Sequence, residues 1–303
     1  MMQEGLSTIA RKAVSLLSPG YFFRRTMAVP QDIGPFCVLS FDCDFPRDIA
    51  ALPELVALLQ EYEVPASFAC IGQWVREYPA EHQLIVDAGF EVVNHTETHP
   101  NLYHPQYDYA RVEGLSREMF NRIGFDGRRE EIVRGHETIA EVLGVEPIGF
   151  RTPHFGALHV DDVYAPLADL NYRFSSSVLA AECGAAAYRP LEGLWEIPVS
   201  PCPLHPCGVF DSWHSLSKSN ASHRVPGELS GLFATLIDTV VEVGGLANVY
   251  FDPKDVVESG EMQRMLQILR DRPITAVDYG KYLDALPVPV IANGTRTAVG
   301  TVG

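Results

Sequence analysis

With 303 residues, 47% of them hydrophobic, the chain can build one large domain or two ordinary ones, and wholesale disorder is excluded. Its 23 basic against 39 acidic residues give a net charge of -16, which argues against a nucleic-acid partner, since that needs a basic face. Six irregularly spaced cysteines without a secretory signal point to reduced thiols and a cytoplasmic location, and no apolar run approaches the length of a membrane span.

In chain order, Leu6, Ile9, Ala10, Ala13 and Leu17 share one helical face, so residues 1–34 read as an amphipathic helix and arm. Arg11-Lys12 interrupts the apolar stretch, which does not fit a signal peptide. Packing on the domain is favoured over a peripheral membrane contact through residues 5–25, because the basic charge is modest. Strand-like runs follow at 36–41, 66–71, 90–94, 148–151, 172–178, 194–199 and 246–251, with a short one at 274–277. Helix-like segments fall between them at 49–62, 74–88, 128–143, 161–171, 229–243 and 262–270. This alternation predicts an α/β chain with parallel strands, closed as a barrel over residues 35–286, whose chemistry gathers at the C-terminal strand ends. Residues 287–303, rich in Pro, Gly and Thr, are expected to form a loosely held tail.

The first strand ends in "SFDCD". Alternate strand residues share a face, so Asp42 and Asp44 point together into the barrel mouth while Cys43 points away. The third strand runs into "NHTETH". The spacing of His95 and His99 is one helical turn, which would put both imidazoles on one side. Either motif alone is more often structural. Together, at two strand ends, two histidines and a carboxylate make a ligand set for one divalent ion: zinc first, with cobalt, nickel, iron or manganese as alternatives. The fourth strand ends in "RTP", where the Arg151 guanidinium could fork onto Asp42 and keep it ionised and oriented.

With these motifs in this order, the chain resembles the polysaccharide deacetylase family, the NodB-homology carbohydrate esterases, over residues 36–284. The resemblance implies a distorted (β/α)7-type barrel. It implies Asp42 as catalytic base, Asp44, His95 and His99 as metal ligands, Arg151 as the residue that tunes Asp42, and Pro153 as one wall of the groove. Two positions depart from the family pattern. Ser175 stands where an acid is frequent, and Asp252, in "YFDP", stands where a histidine usually protonates the leaving amine. The proton donor is then Asp252 with a raised pKa, or another histidine, His154 or His214. Failing both, the chain is a catalytically weak homologue that binds carbohydrate.

The segment "SPCPLHPCGVFDSWH" is predicted to lie over the barrel mouth and shape substrate choice with His154 nearby, Trp213 offering a sugar-stacking face. Cys202, His205 and Cys207 fit no standard zinc spacing, so this segment is read as a structural loop. The absence of Gly-x-Ser-x-Gly, Walker and dinucleotide glycine patterns argues against a serine hydrolase, a P-loop NTPase and a Rossmann oxidoreductase. The expected activity is metal-dependent removal of an N-acetyl or N-formyl group from an amino sugar in a glycan or in a nucleotide- or lipid-linked precursor. The alternatives are a cyclic imide or ureide amidohydrolase of the same fold and the binding homologue. An Fe(II) oxygenase would fit the ligands but leaves Asp42 and Arg151 unexplained.

Overall fold

A computed structural model describes residues 11, 13–29, 33–100, 118–217 and 221–287. Most of the expected tail, and residues 5–10 and 12 of the expected N-terminal helix, lie outside them. In chain order the first elements are α1 (Pro19–Met27), β1 (Phe36–Cys43), α2 (Pro46–Glu61), β2 (Ala66–Cys70), α3 (Gly72–Glu77), α4 (Pro79–Asp87) and β3 (Glu91–Asn94). Then come α5 (Gly124–Leu143), β4 (Gly149–Phe150), α6 (Tyr164–Asp169), β5 (Phe174–Ser175), α7 (Ala180–Cys183), β6 (Tyr188–Leu191) and β7 (Leu194–Glu196). The last are α8 (Glu228–Val243), β8 (Leu246–Phe251), α9 (Pro253–Glu258), α10 (Glu261–Asp271), β9 (Thr275–Ala276) and α11 (Tyr279–Ala285).

The strands form one curled sheet in the order β6-β7-β5-β4-β3-β2-β1-β8, with β9 beside β1. Every pairing is parallel except the β6–β7 hairpin. The expected parallel α/β barrel is therefore present as a distorted half-barrel, its far side closed without a ladder. There Ser200 N donates to Asn248 O (2.8 Å), and Asn248 Nδ2 donates to the carbonyls of Ile197 and Pro198 (3.0 Å each). One buried amide thus does the work of a strand pair.

Side-chain alternation along β1 sets both the core and the site. Cys37, Leu39, Phe41 and Cys43 enter the layer between sheet and helices, while Val38 belongs to the barrel interior. The interior parity carries Ser40 and then Asp42 toward the mouth. Cys43 is buried in the outer layer, as its parity required.

Three local readings change. The helix expected at 74–88 is two helices, because Pro79 lacks the N–H that an unbroken helix would use and instead starts α4. The helix expected at 161–171 is a 3-10 turn followed by the single-turn α6. The β6 strand and helices α7, α9 and α11 were not anticipated; they are short, and α9 begins at Pro253 directly after Asp252.

α1 buries Phe22, Phe23 and Met27 against the domain. Its Arg24 pairs with Glu242 of α8, and Arg11 donates to the carbonyl of Glu182. Leu17, on the apolar face read from the sequence, is instead 87% exposed. Among the described residues no helix is long and apolar enough to cross a membrane.

Candidate active site

Asp42 ends the interior face of β1, and Asp44 follows it at the rim, its backbone carbonyl held by the Trp74 indole N–H (2.9 Å). At the end of β3, Asn94 organises the next loop. Its Oδ1 accepts from Thr96 N (2.8 Å), and its Nδ2 donates to Ile132 O and Tyr172 Oη (2.9 Å each). His95 and His99 do not lie on a helical turn, as their spacing had suggested. Thr96 (φ 69°) and His99 (φ 52°) are left-handed, and the loop folds back on itself. It is fastened to α5 instead: Glu97 N donates to Glu131 O (3.1 Å) and Thr98 N to Glu131 Oε2 (2.8 Å). Gly135 permits this approach, since a Cβ there would sit 2.5 Å from Asn94 Oδ1 and 2.8 Å from Thr96 C.

Asp44 Oδ1 then faces His95 Nε2 at 3.4 Å and His99 Nε2 at 3.5 Å. His95 Nδ1 donates to the carbonyl of Arg151 (2.8 Å), which leaves a lone pair on Nε2. Those three facing atoms are buried and have no hydrogen-bond partner. Orphaned buried polar atoms are costly, and a divalent cation would satisfy all three. Zinc bonds of about 2.0–2.2 Å place tetrahedral N and O ligands roughly 3.5 Å apart, the separation already present. Electrostatics agree. Burial raises the Asp44 pKa, but His99 and His95 outweigh it and hold the carboxyl well below the usual range. Burial, with the charges of His95 and His154, pushes His99 down to about 4. Burial works against a charged His95 too, but Asp44 and Asp42 raise it above its ordinary value.

Arg151, wholly buried, does reach Asp42: Nη1 donates to Oδ1 at 2.5 Å. Its other donors are held by Tyr279 Oη (2.6 Å), Ser40 Oγ (3.0 Å) and Ser176 O (3.2 Å), and Tyr279 Oη donates on to Asn248 Oδ1 (2.7 Å). Arg151 acts on Asp42 in the expected direction, against a larger effect of burial. Burial is the larger influence and leaves the Asp42 pKa above the ordinary carboxylate value, although Arg151 and His95 pull it down. The guanidinium fixes where the carboxylate points. Ser175 donates to Ser177 Oγ (2.8 Å), and it is its neighbour Ser176 that accepts from the arginine. Ser40, Ser176, Asn248 and Tyr279 went unnoticed in the sequence. Only Ser40 carried a signal, being two residues before Asp42 on the same strand face.

A cavity opens beside the two aspartates, lined by Asp42, Asp44, Phe45, His154, Phe155, Trp213, His214, Tyr250 and Asp252. His154 and Trp213 meet edge to face across it, ring centres 6.4 Å apart. Pro153 is buried and is not among the lining residues. All three candidate proton donors, Asp252, His154 and His214, line this cavity. Burial and the charges of Asp48, Asp255, Asp44 and Asp211 push the Asp252 pKa well above the ordinary carboxylate value. His214 Nδ1 donates to Oδ2 of the fully buried Asp211 (2.5 Å), whose Oδ1 accepts from His214 N (2.6 Å). Asp211 was missed, although "FDSWH" places it three residues before His214. In the same loop the trio read as Cys202, His205 and Cys207 does not assemble. Cys207 faces Ser15 Oγ (3.1 Å), and His223 takes its place beside Cys202 and His205.

Residues 32–175 match the family profile described as polysaccharide deacetylase. A chitooligosaccharide deacetylase of Sinorhizobium fredii (strain NBRC 101917 / NGR234) is 41% identical over 68 residues, 22% of this chain and 31% of that protein. One from Rhizobium leguminosarum bv. phaseoli is 39% identical over 69 residues, 22% of this chain and 29% of that protein. The chain thus aligns with less than a third of the length of these relatives. A crystal structure of a provisionally assigned polysaccharide deacetylase from Mycobacterium smegmatis superposes with a TM-score of 0.66 at 18% identity, covering 85% of this chain and 92% of that one. A CE4-family pseudoenzyme from Bacillus anthracis superposes at 0.53 with 16% identity, covering 83% and 66%. At such identities the superpositions establish the fold alone.

Proposed function

We propose, from the premise that residues 32–175 belong to the polysaccharide deacetylase family, that this chain hydrolyses the N-acetyl group of an amino sugar with one divalent ion, zinc first, held by Asp44, His95 and His99. The observation that carries this reading is the trio of orphaned ligand atoms at metal spacing, next to a buried carboxylate clamped by an arginine. When bound, the ion would supply an electrophile for the amide carbonyl and an acidic water.

The chain's own residues would do the rest. Arg151 occupies Oδ1 of Asp42, so Oδ2 is the oxygen left to take a proton from the attacking water. Tyr279, Ser40 and Ser176 keep the guanidinium from turning. Trp213 and His154 would present an edge-to-face wall to the sugar ring. We assign protonation of the leaving amine to His214. Its Nδ1 is anchored on Asp211, so its second nitrogen is left to serve a group in the cavity. Asp252 is the weaker candidate, because a cation on Asp44 would draw its pKa back down.

The specific reading, an N-acetylated chitooligosaccharide, draws on what the relatives' names say of them, while a nucleotide- or lipid-linked precursor is the alternative drawn from the sequence. The test is acetate release from N-acetylated chitooligosaccharides by the zinc-loaded chain, with Asp42→Asn as the inactive control. Zinc-dependent acetate release that Asp42→Asn abolishes supports the reading. Metal uptake with no release from these or precursor-type acetamido and formamido sugars would leave the binding homologue, the reading that Asp252 in place of a histidine favours.

A further inference from the structure

The loop between β7 and α8 holds a second set of donors that the hydrolytic reading does not use. Cys202 Sγ and ring nitrogens of His205 and His223 all lie within 4.8 Å of one another. Cys202 and His223 are buried and His205 is exposed. The two imidazoles stack nearly parallel, their planes 24° apart and their centres separated by 5.9 Å. Among the described residues no carboxylate lines the small cavity they share with Gly208, Val209, Ser215 and Ser222. A thiol with two imidazoles is a soft set, suited to zinc or cobalt rather than to magnesium or calcium.

We propose that Cys202, His205 and His223 form a second divalent-metal site of zinc type that staples this loop over the mouth of the barrel. The backbone is already shaped for it. Cys202 N donates to Gly208 O (2.9 Å) and Gly208 N to His205 O (2.7 Å), so Cys202 and His205 sit on one tight turn. His223 N donates to Ser215 O (3.0 Å), which brings in the third donor from the far end of the loop. Burial raises the Cys202 thiol pKa, but backbone N–H groups of His205 and Leu204 work in the other direction, as they would for a thiolate. Zinc bonds of about 2.0–2.3 Å need ligand atoms roughly 3.5 Å apart, so closure asks for side-chain shifts on the order of 1 Å. The metal displaces the thiol proton to solvent, and water completes the coordination on the exposed side next to His205. His214 lines both this cavity and the one at Asp42 and Asp44, so an ion here would hold Trp213 and His214 in place without touching substrate.

Cobalt(II) separates the two sites, because only this one offers sulfur. The full chain, stripped with chelator and titrated with Co(II), is expected to develop a near-ultraviolet thiolate-to-cobalt charge-transfer band. The band should be absent in Cys202→Ser and lost or strongly reduced in His223→Ala. It should persist in Asp44→Ala, which removes the other site. His205→Ala, at an exposed position, provides a variant that keeps its circular dichroism and still loses the band if Cys202→Ser fails to fold. Failure of the band to appear at saturating Co(II), or its survival in Cys202→Ser, would overturn the proposal. Neither result bears on the site at Asp44.

Discussion

The two halves of the barrel mouth are built in opposite ways. On the side of β1, β3 and β4, Asp42, His95, His99 and Arg151 are buried, Asp44 alone being partly open at the rim, and hydrogen bonds fix them: Arg151 by a tyrosine and two serines, His95 by a carbonyl, and the histidine loop by α5. On the side after β7, regular pairing stops. His214 is 41% exposed and depends on a single buried carboxylate, and the barrel is closed by the Asn248 amide. The first half is held by many hydrogen bonds, which suits the ion proposed for it. The second relies on fewer such contacts, and it carries Asp252, where the resemblance leads one to expect a histidine.

If that contrast is right, damage to the first half should be far more severe. His99→Ala is expected to reduce acetate release by on the order of 10³-fold or more, since metal-ion charge stabilisation is worth several kcal/mol; kcat at saturating zinc checks it. Arg151→Met leaves the buried Asp42 without a partner and should destabilise the fold by about 3–5 kcal/mol, read from urea unfolding midpoints. On the other half, His214→Ala should lower kcat by about 10²–10³-fold, the range of a general acid, with circular dichroism and zinc content unchanged. An unchanged kcat would pass the role to Asp252.

Gly135→Ala tests the fastening of the histidine loop to α5. Backbone stands within 3 Å of the added methyl, so the loop must move. A cost of about 1–3 kcal/mol in stability is expected, together with roughly tenfold weaker zinc binding by competition with a chelator. The smallest effect concerns Asp252. Its folded-state pKa is raised, so its contribution is favourable below the ordinary carboxylate value, about 3.9, and is lost as pH rises through the folded value. Asp252→Asn should therefore melt above the parent at neutral pH, the gap closing as pH falls toward 4. Parallel melting curves across that range would contradict it.

This contrast also explains what could be read from the sequence. Strand parity and an apolar run were enough to place Asp42, Asp44 and Cys43, because β1 is regular and pairs on both sides. His95 and His99 were found by type and spacing, although the helical turn assumed for them is a loop whose shape is set by α5, forty residues downstream. Tyr279 could not be found: it reaches Arg151 across 128 residues, and no local pattern marks it. The same holds for His223, which joins Cys202 only because the loop returns on itself; the break at Pro79, by contrast, was marked locally by a proline within a helical stripe. Local rules governed the regular half, and tertiary contacts governed the rest.

The central claim is that Asp44, His95 and His99 hold the ion that acetate release requires. Its most direct test is zinc content by elemental analysis of the dialysed full chain beside His95→Ala and His99→Ala, all confirmed folded. The account predicts that each variant carries one zinc per chain fewer than the parent. Equal zinc in parent and variants would contradict it.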